Sequence, residues 1–179
     1  MPLKMPINRK IIHNRTVQCV GYLREDKLWD IEGHLIDTKT YDFTTWSRGL
    51  IAAGQAIHDM SMRITLDDNL LIHDIHLKMS ANPYISCPSI LSNFKKLIGI
   101  KIAKGFRKKV YEKVGGINGC THMVEMLFPI ATTAFQTIYS YKNKNTKKKS
   151  QQPTLINSCH SWRDNGEVIK KEFPEFYAK

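Results

Sequence analysis

The sequence has no closely paired cysteines and no long hydrophobic run, and both absences exclude classes of protein. The four cysteines, Cys19, Cys87, Cys120 and Cys159, include no CxxC spacing, which excludes the common zinc-finger patterns. No stretch reaches the roughly 18 uninterrupted apolar residues of a membrane-spanning helix. The first ten residues are basic and contain proline, with no apolar run behind them, so they do not have the pattern of a signal peptide. We therefore expect a cytoplasmic protein with reduced cysteines.

Acidic residues are also scarce. There are 16 Asp and Glu against 27 Lys and Arg, which gives a formal net charge of +11. The excess is concentrated between Lys95 and Lys113, with eight basic residues and one acid, and between Lys142 and Lys149, with five lysines. The predicted basic helix at 104–113 is a candidate surface for nucleic acid or an acidic partner. A helix face that is simply solvated is the alternative.

The residues that are present predict one α+β domain. Hydrophobic residues make up 42% of the chain, enough for an ordinary core. Alternating apolar residues predict two β-hairpins, at 11–39 and 57–80, with a loop or short helix between them. Apolar stripes then predict helices from about Cys87, over Lys104–Val114, and from about Cys120. We expect an antiparallel sheet packed against about three helices.

The same signals divide the chain into segments. We expect an extended leader (1–10), an N-terminal hairpin with its loop (11–56), a core (57–141), a mobile lysine-rich loop (142–153) and a C-terminal extension (154–179). In the extension, residues 155–162 have a strand-like pattern and Asp164-Asn165-Gly166 is a turn signal. Val168-Ile169 can then form the returning strand of a hairpin. The sequence therefore predicts a terminal strand or hairpin that docks back on the domain.

Cysteine and histidine residues suggest a metal site. Cys87 and Cys120 lie at the starts of predicted helices, where the helix dipole favours thiolate, and His122 is two residues after Cys120. Sulfur and imidazole ligands together suit zinc or iron. Asp59 either ligates the metal or orients a histidine. The predicted site is drawn from His58, Asp59, Cys87, Cys120, His122 and Cys159.

Other interpretations of these residues stay open. Each cysteine can also be interpreted as a buried thiol in the core, and His122 can be interpreted as a structural histidine. A nonmetal enzyme of small acyl or CoA-like substrates would use Cys120 as nucleophile, with His122 or His58 as base. Two pairs that flank the first hairpin, His13 with Arg15 and Asp37 with Lys39, are candidates for binding an anionic or polar ligand, or for ordinary surface pairing.

Several short motifs carry a resemblance to a known family. They are Ile12-His13-Asn14-Arg15, Gly21-Tyr22, Leu28-Trp29-Asp30-Ile31-Glu32-Gly33, Asp37-Thr38-Lys39, Tyr41-Asp42-Phe43, Gly119-Cys120-Thr121-His122, Thr132-Thr133-Ala134-Phe135-Gln136 and Cys159-His160. Over nearly the whole chain the sequence resembles the bacterial family known as domain of unknown function 2889. The resemblance implies a bacterial, mainly proteobacterial, cytosolic protein and brings no activity with it.

A second resemblance concerns shape. Between residues 57 and 139 the predicted order is strand, acidic turn, strand, Cys-led helix, basic helix and Cys-led helix. This order resembles the NifU/IscU-like iron–sulfur scaffold fold, and Cys87 and Cys120 fall at two of its three cysteine positions. At the third position, His58-Asp59 stands where that fold has Cys-Gly-Asp. The resemblance implies a scaffold-like core, and the alternatives to a cluster are a mononuclear metal site or a former site that now has another use.

Overall fold

The computed structural model describes residues 6–144, 153 and 155–178. The chain divides into two compact units, Met1–Tyr141 and Lys142–Lys179. Among the residues described, no helix combines the length and the apolar character needed to cross a bilayer.

The first unit is built on a four-stranded antiparallel sheet with strand order β1-β2-β5-β6. Both predicted hairpins are confirmed. The prediction of a loop or short helix between them is wrong, because Phe43–Thr45 and Gly49–Ile51 pair as a small separate hairpin. The strands are β1 (His13–Leu23), β2 (Trp29–Lys39), β3 (Phe43–Thr45), β4 (Gly49–Ile51), β5 (Ala56–Leu66) and β6 (Ile72–Ala81).

The three predicted helices follow the sheet. The first, Cys87–Leu97, is a 3-10 helix with Pro88 in its opening turn. The others are α-helices, α1 (Phe106–Val114) and α2 (Thr121–Asn143), and Pro129 lies inside α2. Because β-sheet and helices follow one another in blocks, the α+β prediction is confirmed.

Helix α2 covers one face of the sheet. Gly33 permits this close approach, because a Cβ atom there would lie 2.6 Å from Cδ1 of Ile130. On the same face, Ile31 pairs with Ile64 and Leu35 with Met60 across β2 and β5, and all four are buried. Side chains alternate between the faces of a strand, so every second residue of these strands turns away from the helices.

The second unit is helical where the sequence predicted strands, so that prediction is wrong. It contains a 3-10 turn at His160–Trp162, α3 (Glu167–Glu172) and a 3-10 turn at Pro174–Phe176. The side chain of Asn157 bonds both the carboxylate and the backbone N–H of Asp164, at 3.0 Å each. This pair of bonds closes a local loop in place of an extended strand. The predicted docking of this segment stays a prediction.

Two further predictions fall partly outside the described residues. Residues 1–5 of the expected leader and residues 145–152 of the expected lysine-rich loop are not described.

Candidate functional site

A row of three charged or titratable side chains crosses the helix-covered face of the sheet. Arg15 of β1 lies directly opposite Asp37 of β2, and Asp37 lies opposite His58 of β5. Residues that are direct cross-strand partners point to the same face. Helix α2 begins at Thr121, so His122 is in its first turn, and its ring lies 3.7 Å from that of His58 between centroids.

Asp37 is the centre of this cluster and is fully buried. The guanidinium of Arg15 donates from Nε to Oδ1 and from Nη2 to Oδ2, both at 2.7 Å. His13 Nε2 also donates to Oδ1 and His58 Nδ1 to Oδ2, both at 3.0 Å. Each oxygen therefore accepts two hydrogen bonds, which uses the lone pairs of the carboxylate fully.

This network fixes the tautomer of His58. An ionised carboxylate can only accept, so the proton of His58 must sit on Nδ1. The lone pair of a neutral His58 is then on Nε2, the atom that can bind a metal or take a proton. Asp37 thus orients His58 as a carboxylate commonly orients a ligating histidine.

The pKa values follow from burial and from this network. Burial alone would raise the pKa of Asp37, but the hydrogen bonds from Arg15 and His13 outweigh it and lower the pKa to about 2. Burial lowers the pKa of His58 despite the opposing charge of Asp37. Burial also lowers the pKa of His122, and the nearby His58 and Arg15 add to the effect. Both histidines are therefore neutral at pH 7, the state that metal binding requires.

Asp37, His58 and His122 form a group with metal-ligand chemistry. Each offers one ligand atom, and these atoms lie within 4.8 Å of one another. Two imidazole nitrogens and one carboxylate oxygen suit zinc or ferrous iron. Ligand atoms about 2.1 Å from one ion lie roughly 3–4 Å apart. The side chains would therefore close in by a small amount around an ion.

The structure brings some of the predicted metal ligands together and separates others. His58 and His122 lie together, whereas Asp59 is on the opposite face of the sheet and accepts a hydrogen bond from His34 at 2.8 Å. Adjacent residues of a strand point to opposite faces, so His58 and Asp59 cannot share a site. The orienting contact that was expected of Asp59 is made by Asp37.

The cysteines are not members of the three-residue group. The Sγ atom of Cys120 lies 3.9 Å from Nδ1 of His122, and Cys120 packs against the hydrophobic core. Cys120 also lines a small pocket of about 90 Å³ with Tyr111 and Glu125, and Cys87 is not part of that lining. Cys159 is exposed and belongs to the second unit.

The two predicted ligand-binding pairs, His13 with Arg15 and Asp37 with Lys39, have different partners in the structure. Asp37 does not pair with Lys39; it accepts hydrogen bonds from both His13 and Arg15. The ammonium group of Lys39 lies over the ring of Tyr41, 5.1 Å from the centroid. The signal that would have revealed the cluster is the register of the first hairpin, whose turn is centred on Asp26 and places Arg15 opposite Asp37.

The comparisons with known proteins give one result. A family model described as "Protein of unknown function (DUF2889)" matches residues 13–136, which include every residue of the Asp37 cluster. No curated protein and no solved structure matches the chain. The resemblance to the NifU/IscU-like fold therefore stays a prediction.

Proposed function

The chain belongs to the DUF2889 family, whose description assigns no activity, and we propose from its own geometry that it is a metal-binding protein. Zinc or ferrous iron would be held by His58 and His122, with Asp37 as the third group. One observation supports the proposal above others: two neutral histidines and a buried carboxylate come from three different elements and offer ligand atoms within 4.8 Å.

The proposed roles follow from the contacts. Nε2 of His58 is the free nitrogen, and Asp37 holds the ring by its Nδ1–H. His122 supplies a second imidazole from the first turn of α2. Asp37 either stays as the orienting carboxylate or ligates directly, in which case one of its four donors must leave. His13 is the donor that leaves most easily, because it is half-exposed and makes one bond of 3.0 Å, whereas Arg15 makes two of 2.7 Å.

Such a centre would leave coordination positions for water or a substrate. A metal bound by three protein ligands commonly keeps an open position and acts as a Lewis acid there. A metal-dependent enzyme is therefore the extension of this proposal.

The experiment is metal analysis of tag-free protein purified under nitrogen, followed by titration with zinc and with ferrous iron. We expect stoichiometric metal in the wild type and its loss in His58→Ala and His122→Ala, because each substitution removes a ligand. Affinity should fall with decreasing pH as the histidines become protonated. Because their pKa values are lowered, binding should persist below the usual histidine pKa of about 6.5.

The matched control is His73→Ala. His73 also pairs with an aspartate, Asp67, at 3.3 Å, but it lies on β6 away from the group. Metal content should be unchanged in this variant. A wild type with no stoichiometric zinc or iron, or equal metal loss in His73→Ala, contradicts the proposal.

A nonmetal Cys/His enzyme is a second candidate, supported by the 3.9 Å distance between Cys120 Sγ and His122 Nδ1. In that case His122 takes the thiol proton of Cys120, and the sulfur attacks the carbonyl carbon of a small acyl substrate. The acyl group passes to sulfur, and the thiol or alcohol of the substrate leaves with the proton from His122. Rapid alkylation of Cys120 by iodoacetamide in metal-free protein, slowed in His122→Ala, is the expected result. An alkylation rate that His122→Ala leaves unchanged contradicts this candidate.

A binding module that uses the basic face of α1 is a third candidate. Phe106, Val110 and Val114 are buried, and the basic residues of the helix are exposed. The exposed basic residues of α1 are Arg107, Lys108, Lys109 and Lys113. This face suits nucleic acid or an acidic partner.

A further inference from the structure

The face of the sheet opposite to α2 is shaped as an open groove. Its floor is the four-stranded sheet, and its volume is about 500 Å³, within the range of about 300–1,000 Å³ that is usual for small-ligand sites. None of its lining residues is part of the Asp37 cluster. The groove is therefore a separate site from the proposed metal site.

Strand register arranges the groove side chains in two rows. Each row takes one residue from each of the four strands, in the order β1, β2, β5 and β6. The rows are Gln18-His34-Ser61-Lys78 and Val20-Glu32-Arg63-His76. Neighbouring strands lie about 4.8 Å apart, so each row spans about 14 Å. Ser61 is the small side chain near the middle, and it leaves space between its larger neighbours.

The two ends of the groove differ chemically. The β5 and β6 end carries the guanidinium of Arg63, the ammonium of Lys78 and the imidazole of His76. At the β1 end, Val20 and Tyr22 are 36% and 47% exposed, so apolar and aromatic surface faces solvent there. A ligand that spans the groove thus meets a cationic end and an apolar end.

Arg63 has an unsatisfied donor at the cationic end. Its Nε atom is shielded from solvent and has no hydrogen-bond partner among the described residues. The guanidinium lies between two acids at distances too long for hydrogen bonds, 4.0 Å from Asp30 and 3.9 Å from Glu32. An arginine held in this way can turn its other N–H groups toward an incoming carboxylate or phosphate.

Two acids near the groove, Asp30 and Asp74, are already engaged, and Glu32 of the groove lining lies 3.9 Å from Arg63. Asp30 accepts from Arg24 and from the hydroxyl of Thr65. Asp74 accepts from Lys95 at 2.7 Å and is paired with His76 at 2.8 Å. Lys78 makes no ion pair with any residue that the structure describes. Positive charge at the β5 and β6 end is therefore available to a ligand.

We propose that this groove binds a small amphipathic organic anion. Its carboxylate or phosphate lies against Arg63 and Lys78, and its apolar or aromatic part lies across the sheet on Val20 and Tyr22. The charge at one end and the exposed apolar surface at the other determine this orientation.

The test uses NMR chemical-shift titration of ¹⁵N-labelled full-length protein with defined probes. The probes are 4-phenylbutyrate, which carries a carboxylate, and phenyl phosphate, which carries a phosphate. The neutral probe is 4-phenylbutanol. We expect saturable shifts of β1, β5 and β6 amides with one or both anions, and binding about tenfold weaker or absent with the alcohol. The tighter of the two anions identifies the preferred acidic group.

Two groove variants and one control check the contacts. Lys78→Glu should weaken anion binding about tenfold or more, because it replaces attraction by repulsion at an exposed position that should not affect folding. Arg63→Gln should weaken anion binding by a similar factor in the folded variant. The matched charge reversal Lys109→Glu, on the exposed face of α1, should leave binding unchanged.

Several outcomes overturn the proposal. One is the absence of saturable shifts with either anion at millimolar concentration. Another is equal binding of 4-phenylbutanol. A third is equal weakening by Lys78→Glu and Lys109→Glu, which would show a general charge effect. None of these outcomes bears on metal binding by His58 and His122.

Discussion

Asp37 is a carboxylate without solvent contact whose charge is balanced by donors from β1 and β5. Breaking a buried charge pair leaves its partner groups unsatisfied, which costs more than the pair itself contributes. Because Arg15 is 40% exposed, water can recover part of this cost. The residue therefore connects the stability of the fold to the geometry of His58.

At this scale we predict that Asp37→Asn lowers the free energy of unfolding by about 2–3 kcal/mol. Urea denaturation at pH 7 measures it. The control is Asp59→Asn, which removes a similar aspartate–histidine pair from the partly exposed opposite face and should cost under about 1 kcal/mol. An Asp37→Asn variant as stable as Asp59→Asn would contradict a structural role for the buried network.

The lowered pKa of Asp37 adds a pH dependence to the same comparison. A carboxylate whose folded pKa is depressed, here from 3.8 to about 2, stabilises the fold above its unfolded pKa. That contribution is lost as pH falls through the folded value. The stability difference between wild type and Asp37→Asn should therefore shrink as pH falls from about 4 to about 2. A difference that stays constant over this range would show that folding does not lower the pKa of Asp37.

At the scale of secondary-structure elements, the contact between α2 and the sheet positions His122 over His58. Gly33 lies under Ile130 and Met126 of the helix, and Gly21 lies under Thr137. These positions let the helix backbone approach β1 and β2. The register of the strands and the seating of this helix together assemble the cluster.

At this scale we predict that Gly33→Ala destabilises the protein by about 1–3 kcal/mol, because the new methyl group would lie 2.6 Å from Ile130. Thermal or urea unfolding measures the loss. In a double-mutant cycle, Ile130→Val should recover part of it by removing Cδ1, the nearest of the clashing atoms. Strictly additive effects of the two substitutions would show that α2 is not seated on Gly33. Gly33→Ala should also weaken metal binding in the titration assay, because the contact of α2 with the sheet positions His122.

At the scale of the whole molecule, the net charge of +11 is the dominant property. Buried residues hold one face of α1 against the core, and the opposite face presents Lys108 and Lys109 to solvent. Lys108 has an acid, Glu112, 3.9 Å away, which is a weak pair at this exposure. Positive potential on this face would attract polyanions at low salt.

At this scale we predict that any binding to nucleic acid falls steeply with salt concentration and with reversal of Lys108 and Lys109 to Glu. Fluorescence anisotropy with a labelled oligonucleotide measures both effects. The control reverses Arg9 and Lys10, two exposed basic residues on the N-terminal side of β1. Equal losses in both double variants would assign the binding to net charge and would rule out a specific surface on α1.

Part of this molecule could be predicted from local sequence. The two hairpins of the main sheet, α1 and the start of α2 follow from hydrophobic periodicity, because each depends on neighbours in sequence. Opposite parity separates His58 from Asp59, although both were assigned to one site. In the second unit, the Asn157–Asp164 bonds favour a closed loop over the strands that alternation predicted.

By itself, the sequence determined the strands of the main sheet, the helices that follow it, the charge distribution and the family, since these depend on residue type and short-range order. Only the tertiary structure decided which side chains share a site. Arg15, Asp37, His58 and His122 come from four different elements, and strand register and the seating of α2 bring them together. The same register assembles the groove on the other face. The turn of the first hairpin sets the pairing of Arg15 with Asp37. The pairing of β2 with β5 and the seating of α2 join residues far apart in sequence, and no local pattern encodes them.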